Sequence, residues 1–401
     1  MARNSVYFPN LNGVRFIAAL AVIIHHIELT KYWFGQPNIY TTSFVGGVFG
    51  QLGIILFFVL SGFLITYLLL EENKQKQHIS IKQFYIRRML RIWPLYYLIV
   101  VLGLFILPKI HFFDIPNITT HVKEHFATKS AMFLSFFPNV AYAMYEPVPY
   151  SEQAWSVGVE EQFYLLWPVL IALVIKRFRT MRMLLSTIGI YLFIKIAVVF
   201  AYSLHPENLA IDRLYQFWTH FSIDCMAIGG IGAYILFYEK EKILKLLFNK
   251  YLQIVPYIAL VYITVRGIAV PIFNSEFYAV IFIVLILNLA ANKKTLLRLN
   301  YKPLDYLGRI SFGLYMFHNI ILVMVLRLML SINKNIYNSL EGNIVYYILS
   351  ILFTIIIAGL SYRFFEKPFI KAKVKYSSVI SGENAVDSNE NTDVAAIDTK
   401  S

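Results

Sequence analysis

The amino-acid sequence predicts an all-α polytopic membrane protein, a bundle of about ten transmembrane helices. Of its 401 residues, 58% are hydrophobic and only 15% are charged, which is more apolar than an ordinary soluble domain. Apolar runs of about 16 to 24 residues recur along the whole chain, and such a run is long enough to cross a hydrocarbon core of about 30 Å. The net charge of +13 comes from lysines and arginines that cluster between these runs. Positive-inside topology explains these clusters better than nucleic-acid binding does.

The apolar runs define ten predicted spans and one ambiguous segment. The spans are predicted at 14–30, 47–70, 93–108, 160–175, 184–203, 214–237, 251–268, 276–291, 311–330 and 344–362. The ambiguous segment 131–145 is apolar but short, and Pro138 interrupts it. If this segment does not span, the loops on the N-terminal side hold 27 of the 36 lysines and arginines. The positive-inside rule then predicts both termini in the cytoplasm and 109–159 as a long outer segment, which carries 131–145 as a re-entrant or interfacial helix.

The predicted domain organisation is one membrane domain followed by a short tail. Residues 1–375 form the membrane domain, and residues 376–401 are rich in Ser, Asn, Asp and Glu, which predicts a disordered cytoplasmic tail. The single cysteine, Cys225, excludes a disulfide framework within the chain. The sequence has no P-loop, HExxH, GxSxG or Cys-rich metal motif and no clear internal repeat. We therefore expect any chemistry to be carried out by the membrane bundle.

The first span carries two ionisable residue types inside an apolar helix, in NLNGVRFIAALAVIIHHI. Arg15 and His26 are eleven residues apart, which places them about 20° out of phase on one helix face and about 16 Å apart along the axis. Ionisable groups within a membrane are costly, and that cost makes both residues candidates for a functional site. His25 lies about 100° round the helix from His26 and could face lipid or a neighbouring helix.

A second signal is the arginine cluster that opens the third span, in FYIRRMLRIWP. Arg87, Arg88 and Arg91 fall within little more than one turn, and Pro94 then marks a kink. Guanidinium groups bind phosphate through paired hydrogen bonds, so the cluster could hold a phosphorylated ligand. An ordinary positive-inside anchor on anionic lipid explains the same residues.

A third signal is the carboxylate pair in SEQAWSVGVEEQFYLLWP. Glu160 and Glu161 lie near the start of the fourth span, where an acidic side chain favours the positive end of its own helix. The two could instead orient a histidine or bind the hydroxyls of a sugar. Aromatic residues of the outer segment, such as Tyr145 and Tyr150, could stack on sugar rings, although interfacial aromatic belts explain them equally well.

Other polar residues within the spans have simpler explanations. His318 is expected to be a hydrogen-bonding residue between helices, with a second site histidine as the alternative. Lys195 and Asp224 could form an ion pair. Ser61 and Gly62, in FFVLSGFLIT, are typical of close helix packing through small residues.

Taken in order, these motifs resemble the acyltransferase-3 family of integral-membrane O-acyltransferases, which includes O-antigen and exopolysaccharide acetylases. The resemblance covers about residues 8 to 370. It is carried by NLNGVRFIAALAVIIHH, FFVLSGFLIT, FYIRRMLRIWPLYY, WSVGVEEQFYLLWP, SFGLYMFHNII and RFFEKPF. It implies a ten-span bundle that passes acyl groups from cytoplasmic acyl-CoA to a hydroxyl of a carbohydrate or small molecule. Many relatives append an esterase-like domain, and we expect none here. This leaves open whether the acyl group is delivered directly to the final acceptor or through a partner acyl carrier or transferase.

The resemblance also assigns roles to residues. The family motif of an arginine, ten residues and a histidine falls on Arg15 and His26, which makes His26 the catalytic choice over His25. The inner arginine motif falls on Arg87, Arg88 and Arg91 and implies contact with the acyl donor.

The expected chemistry is the transfer of an acyl group from a thioester to an alcohol, carried out by the same residues. An imidazole with an unperturbed pKa of about 6.5 suits the task of taking the hydroxyl proton. We therefore expect His26 to be the general base, Glu160 or Glu161 to orient it, and no metal to take part. Acyl-CoA, most simply acetyl-CoA, is the expected co-substrate, without a permanently bound cofactor, and the expected location is the cytoplasmic membrane. An acyl-histidine intermediate is a variant of this mechanism.

Two other classes of function remain open at the level of sequence. A transporter or flippase of a glycan or small molecule also needs buried charges, although repeats or broken helices would be more typical of it. A non-catalytic membrane assembly or sensory protein would keep the bundle without needing His26. Consumption of acyl-CoA by the purified protein separates a transferase from both.

Overall fold

The chain folds almost entirely into helices. The computed structural model describes residues 5–116, 118–145, 147–175, 177–266, 268, 270–377 and 380–381. The helices are, in chain order, α1 (Asn10–Trp33), α2 (Gly50–Lys76), α3 (Ile81–Val101), α4 (Phe126–Leu134), α5 (Pro138–Met144), α6 (Ala154–Val174), α7 (Arg177–Leu204), α8 (Leu209–His220), α9 (Ile223–Phe237), α10 (Glu241–Leu247), α11 (Lys250–Arg266), α12 (Asn274–Ala291), α13 (Lys302–Arg309), α14 (Ser311–Ile332), α15 (Leu340–Ser361) and α16 (Lys367–Val374).

Within these ranges, nine helical stretches are long and apolar enough to cross a membrane. The number is ten when α10 and α11, which meet at 59°, are taken as one broken span. Helix α11 of this pair covers residues 251–266 of the predicted span 251–268. The prediction of an all-α, multi-pass bundle of about ten spans is therefore confirmed, while the cytoplasmic placement of the termini stays a prediction.

The ambiguous segment 131–145 does not form a span. It folds into α4 and α5, of 9 and 7 residues, which are about 14 and 11 Å long and so too short to cross the hydrocarbon core. Pro138 begins the second of them, a position where its missing N–H costs nothing. The segment is fixed to α3 by the hydroxyl of Tyr96, which donates to the Phe133 carbonyl at 2.7 Å.

Close packing of α2 on α9 forms the middle of the bundle. A side chain at Gly62 would overlap the Met226 carbonyl, and one at Gly229 would overlap the Val59 carbonyl. Both glycines are therefore needed for the two backbones to approach, as the small-residue motif predicts. Helix α1 lies beside this pair and is enclosed by α2, α13 and α14.

Charges within the spans are paired differently from the expectation. Lys195 of α7 forms an ion pair with Glu276 of α12 at 2.6 Å, and both side chains are buried. Asp224 of α9 is also buried, but neither of its carboxylate oxygens has a hydrogen-bond partner. The possible ion pair between Lys195 and Asp224 is therefore not formed, since Glu276 takes the place of Asp224 as the partner of Lys195. The sequence could not identify the partner because Glu276 stands at the predicted edge of its span.

The first and last described segments form a short parallel strand pair. Strand β1 (Ser5–Val6) pairs with β2 (Ile380–Ser381), and Ser5 lies opposite Ile380. Of the predicted tail 376–401, only residues 376, 377, 380 and 381 fall within the described ranges.

Candidate active site

A cavity of about 200 Å³ lies among α1, α2, α3, α6 and α14. Five cationic side chains line it, from α1, α3, α13 and α16: Arg15, Arg88, Arg91, Arg309 and Lys373. Glu160 is the one carboxylate among its described lining residues. This excess of positive charge in a half-enclosed space suits an anionic ligand.

Arg15 is held in place by a chain of polar contacts that runs to α13. Its Nη1 donates to Asn12 Oδ1 at 2.7 Å, and Asn12 Nδ2 donates to Asp305 Oδ1 at 2.7 Å. Asp305 also forms an ion pair with Arg309 at 2.6 Å. Burial opposes the ionisation of Asp305, but the hydrogen bonds from Asn12 and Arg309 hold its pKa below the ordinary value. The carboxylate therefore stays charged and fixes the two arginines relative to each other.

The predicted arginine motif divides into two roles. Arg88 and Arg91 line the cavity, and in the described part of the chain neither has an ion-pair partner. The Arg88 guanidinium lies 5.4 Å from the ring centroids of Phe84 and Tyr164, and its Nε is buried without a partner. Arg87 does not line the cavity, since it forms an ion pair with Glu72 at 3.0 Å.

The two predicted carboxylates also separate. Glu160 faces the cavity and accepts hydrogen bonds from Ser61 at 2.7 Å and from Tyr164 at 3.0 Å. Glu161 points to α3, where one oxygen accepts from the Trp93 indole at 2.9 Å and the other is buried without a partner. Neither carboxylate forms a hydrogen bond with His26, so the structure does not bring these predicted site residues together.

His26 is oriented by its own helix. Its Nδ1 lies 2.9 Å from the Val22 carbonyl oxygen, so the ring donates Nδ1–H to that oxygen and leaves the Nε2 lone pair available. The side chain is buried, with 9% of its surface exposed. The neighbouring His25 ring packs edge-on against that of His26, with centroids 5.0 Å apart. It also lies 5.4 Å from the Tyr40 ring, and its Nδ1 is 3.4 Å from the Val45 carbonyl oxygen.

His318 of α14 packs against His26. Their ring centroids are 4.7 Å apart at an interplanar angle of 75°. The Nδ1 of His318 lies 2.6 Å from the Tyr315 carbonyl, and its Nε2 is buried without a hydrogen-bond partner. The expectation that His318 forms a hydrogen bond between helices is therefore wrong, because Nδ1 bonds to its own helix and Nε2 has no partner. The ring packs against His26, as the alternative of a second site histidine requires.

Tyr315 connects the cationic cavity to the two histidines. Its side chain lines the cavity and its carbonyl binds His318, whereas His26 itself is not part of the cavity wall. The Tyr315 hydroxyl is hydrogen-bonded to Ser156 at 2.7 Å and donates to the Gln153 carbonyl at 3.1 Å. Sequence reasoning missed Tyr315, Arg309 and Lys373. Arg309 and Lys373 belong to positive clusters at the predicted cytoplasmic ends of spans, and this is the only sequence signal for them. Tyr315 has none.

The two outer tyrosines proposed for sugar stacking are engaged elsewhere. Tyr150 is fully buried, and its hydroxyl donates to the Phe113 carbonyl. The ring of Tyr145 packs on His125, with centroids 4.9 Å apart. A fully buried ring cannot receive a sugar, so the structure contradicts this option for Tyr150.

Comparison with known proteins gives consistent matches over nearly the whole chain. A family model described as an acyltransferase domain matches residues 8–363. The chain is 30% identical over 393 residues to O-acetyltransferase OatA of Staphylococcus aureus, which covers 92% of this chain and 58% of the relative. It is 27% identical over 391 residues to peptidoglycan O-acetyltransferase OatA of Listeria monocytogenes, with 91% and 56% covered. The chain thus spans somewhat more than half the length of these curated relatives. No solved structure matches it significantly.

Proposed function

The chain belongs to the acyltransferase-3 family, and from this premise we propose that it transfers an acetyl group from cytoplasmic acyl-CoA to a hydroxyl of a cell-surface carbohydrate. The carbohydrate acceptor is suggested by the relative named as a peptidoglycan O-acetyltransferase. The proposed location is the cytoplasmic membrane, with the cationic cavity open to the cytoplasm.

The observation that carries the donor assignment is the cluster of five cations around the cavity. Coenzyme A bears several phosphate charges at one end and a neutral thioester at the other. Arg88 and Arg91 have no ion-pair partner in the described residues, so their charges are available to phosphate oxygens. The cavity is lined by these cations and by Tyr315. This lining suits a ligand whose charged end stays beside the cations and whose neutral arm extends past Tyr315.

The proposed base is the Nε2 of His26. The Val22 carbonyl holds the Nδ1 proton, so the neutral ring offers its other nitrogen to the acceptor hydroxyl. As that proton moves to Nε2, the hydroxyl oxygen forms a bond with the thioester carbonyl carbon. The resulting tetrahedral intermediate expels the thiolate of coenzyme A. The imidazolium then returns its proton to the sulfur, which gives the acetyl ester, free thiol and neutral His26.

His318 contributes a second ring nitrogen at the same place. Its unpartnered Nε2 is a buried acceptor beside His26, and such a group costs free energy unless a ligand donates to it. A second substrate hydroxyl, distinct from the one whose proton moves to His26, would satisfy it. Glu160 is a positioning residue in this scheme, since it accepts hydrogen bonds from Ser61 and Tyr164 on the cavity wall.

The test combines donor binding with transfer in protein reconstituted in lipid nanodiscs. Calorimetry measures the binding of acetyl-CoA, and radiolabelled acetyl-CoA measures transfer to a surface-glycan extract. Arg88→Ala and Arg91→Ala are each expected to weaken acetyl-CoA binding by about tenfold, the effect of losing one charge-assisted hydrogen bond. Arg298→Ala is the matched control, because Arg298 is exposed and does not line the cavity.

Unchanged acetyl-CoA binding in both cavity variants would contradict the donor assignment. A wild-type protein that binds no acetyl-CoA and consumes none would contradict the proposed function as a whole and would favour the transporter alternative.

A further inference from the structure

A second cluster of polar and aromatic side chains lies near the start of α6, beyond Tyr315 and Ser156. The rings of Tyr142 and Trp155 stack with centroids 5.7 Å apart and an interplanar angle of 27°. The ring of His220 packs against both, at 5.2 Å from Tyr142 and 5.3 Å from Trp155. All three side chains are half-buried. None of them is used by the mechanism above.

A carboxylate lies beside these rings. One oxygen of Glu152 is buried without a hydrogen-bond partner. Glu152 lies in the turn that leads into α6, where its carbonyl accepts a hydrogen bond from the Trp155 backbone N–H at 3.0 Å. Burial, and after it the Glu152 charge, raises the pKa of both Tyr40 and Tyr142. A buried carboxylate oxygen without a partner costs free energy that a bound donor would recover.

Several polar atoms of the cluster form no hydrogen bond with the described residues. His220 binds the Gln216 carbonyl of its own helix through Nδ1 at 2.7 Å, which leaves its Nε2 available. In the described part of the chain, the hydroxyl of Tyr142 and the indole N–H of Trp155 form no hydrogen bond. The cluster therefore offers one carboxylate, one imidazole nitrogen, one hydroxyl and one indole donor around a stacked aromatic pair.

The cluster adjoins the proposed catalytic histidines. Tyr40, which lies near Glu152, packs on His25 at 5.4 Å, and the His25 ring lies 5.0 Å from that of His26. Tyr315 separates the cluster from the cationic cavity, because its hydroxyl is bonded to Gln153 and Ser156 in the same turn as Glu152 and Trp155. The cluster is therefore linked to the histidines through Tyr40 and His25, whereas the cationic cavity is linked to them through Tyr315.

We propose that Glu152, Tyr142, Trp155 and His220 form the binding subsite for a carbohydrate acceptor, an inference that rests on the proposed function. A sugar ring presents C–H bonds on its flat faces and hydroxyls at its edge. The negative face of an aromatic ring attracts the C–H bonds, and a carboxylate accepts hydrogen bonds from the hydroxyls. The cationic cavity has too much positive charge to favour an uncharged sugar, whereas this cluster has one anion and no cation among the four residues.

The experiment uses the full chain in nanodiscs and a β-1,4-linked N-acetylglucosamine pentamer as the probe. Direct titration without acetyl-CoA measures pentamer binding, and acetyl-CoA binding is measured on the same samples. Glu152→Ala and Tyr142→Ala are each expected to raise the pentamer Kd about tenfold and to leave acetyl-CoA binding unchanged, which also shows that the variants are folded. If Glu152→Ala is not folded, Glu152→Gln takes its place.

Matched controls come from the same outer segment. Glu124→Gln changes an exposed carboxylate that pairs with His121, and Tyr145→Ala removes an aromatic ring that packs on His125. Both are expected to bind the pentamer like the wild type. Equal pentamer affinity in wild type and the folded Glu152 and Tyr142 variants would overturn the inference, as would a wild type that does not bind the pentamer.

Failure of the proposed function has a different signature. If the wild type binds the pentamer and loses that affinity in the Glu152 variant, but neither binds nor consumes acetyl-CoA, the carbohydrate site stands and the transferase assignment falls.

Discussion

Replacement of His26 by asparagine tests the catalytic step most directly. The asparagine amide can still donate to the Val22 carbonyl that His26 Nδ1 faces at 2.9 Å, so the local polar contact has a substitute. What the variant loses is the Nε2 lone pair. The acceptor hydroxyl would then have to attack without a positioned base.

The expected loss follows from the role of a general base. Such a group contributes about 10²- to 10⁴-fold to the rate, which corresponds to about 3 to 5 kcal/mol of transition-state stabilisation. The loss should be confined to kcat. The KM for acetyl-CoA should change little, because His26 is not part of the cationic cavity wall.

The assay follows release of free coenzyme A thiol with a colorimetric thiol reagent, in the presence of glycan acceptor. The protein's only cysteine, Cys225, is buried and adds little background. His25→Asn is the matched comparison, since its ring packs on Tyr40 and it lies one residue away. We expect it to retain at least a tenth of the wild-type kcat. A His26→Asn enzyme within threefold of wild-type kcat, or a larger loss in His25→Asn, would refute the assignment of the base.

Three further perturbations have defined outcomes. Burial raises the pKa of Glu152 to about 7, so the acceptor KM should fall as the pH rises from about 6 to about 8 and the carboxylate forms, and Glu152→Gln should abolish this dependence. Lys195→Met should lower the free energy of unfolding by about 3–5 kcal/mol because it leaves the Glu276 carboxylate buried and unpaired, and adding Glu276→Gln should restore much of it. Gly62→Ala should prevent folding, since its methyl group would overlap an α9 carbonyl, whereas Gly189→Ala should be silent in a size-exclusion assay, having nothing within 4 Å.

The Glu152 prediction carries a matching effect on stability. A carboxyl group whose pKa is raised from 4.5 to about 7 holds its proton more tightly in the folded state. Its contribution to the free energy of unfolding is therefore fully present below about pH 4.5 and is lost as the pH rises to about 7. Thermal unfolding in nanodiscs at about pH 5 and about pH 8 measures the difference. A wild type and a Glu152→Gln variant with the same pH dependence would contradict the burial of this carboxyl group.

Most of the fold could be predicted from the sequence because apolar length and charge distribution are local properties. The predicted spans follow from runs long enough to cross a bilayer, and the rejection of 131–145 as a span follows from the distribution of lysines and arginines between the loops of the two sides. The packing role of Gly62 was also readable, since a small residue in an apolar run has few other purposes.

The site was less readable because its contacts join distant parts of the chain. Glu160 and Glu161 are adjacent in the sequence, but only packing decides that the first faces Ser61 and the second faces Trp93. The same holds for the arginines, where packing turns Arg87 toward Glu72 and leaves Arg88 on the cavity wall. Adjacent residues on a helix point about 100° apart, so a cluster in sequence need not be a cluster in space.

The arrangement of α1 suggests how a charged donor and a carbohydrate could react across a membrane without either of them crossing it. Arg15 lines the cationic cavity, and His26 lies eleven residues further along the same helix, about 16 Å away. This is about half the thickness of a hydrocarbon core of about 30 Å. Phosphates held near Arg15 would stay beside their cations, and the neutral arm of the donor would cover the distance to the base. Carrying the phosphates deeper would cost the desolvation of several charges, whereas moving an acetyl ester costs none. On this geometry, the phosphates stay in the cationic cavity while the neutral arm of the donor carries the acetyl group to the base.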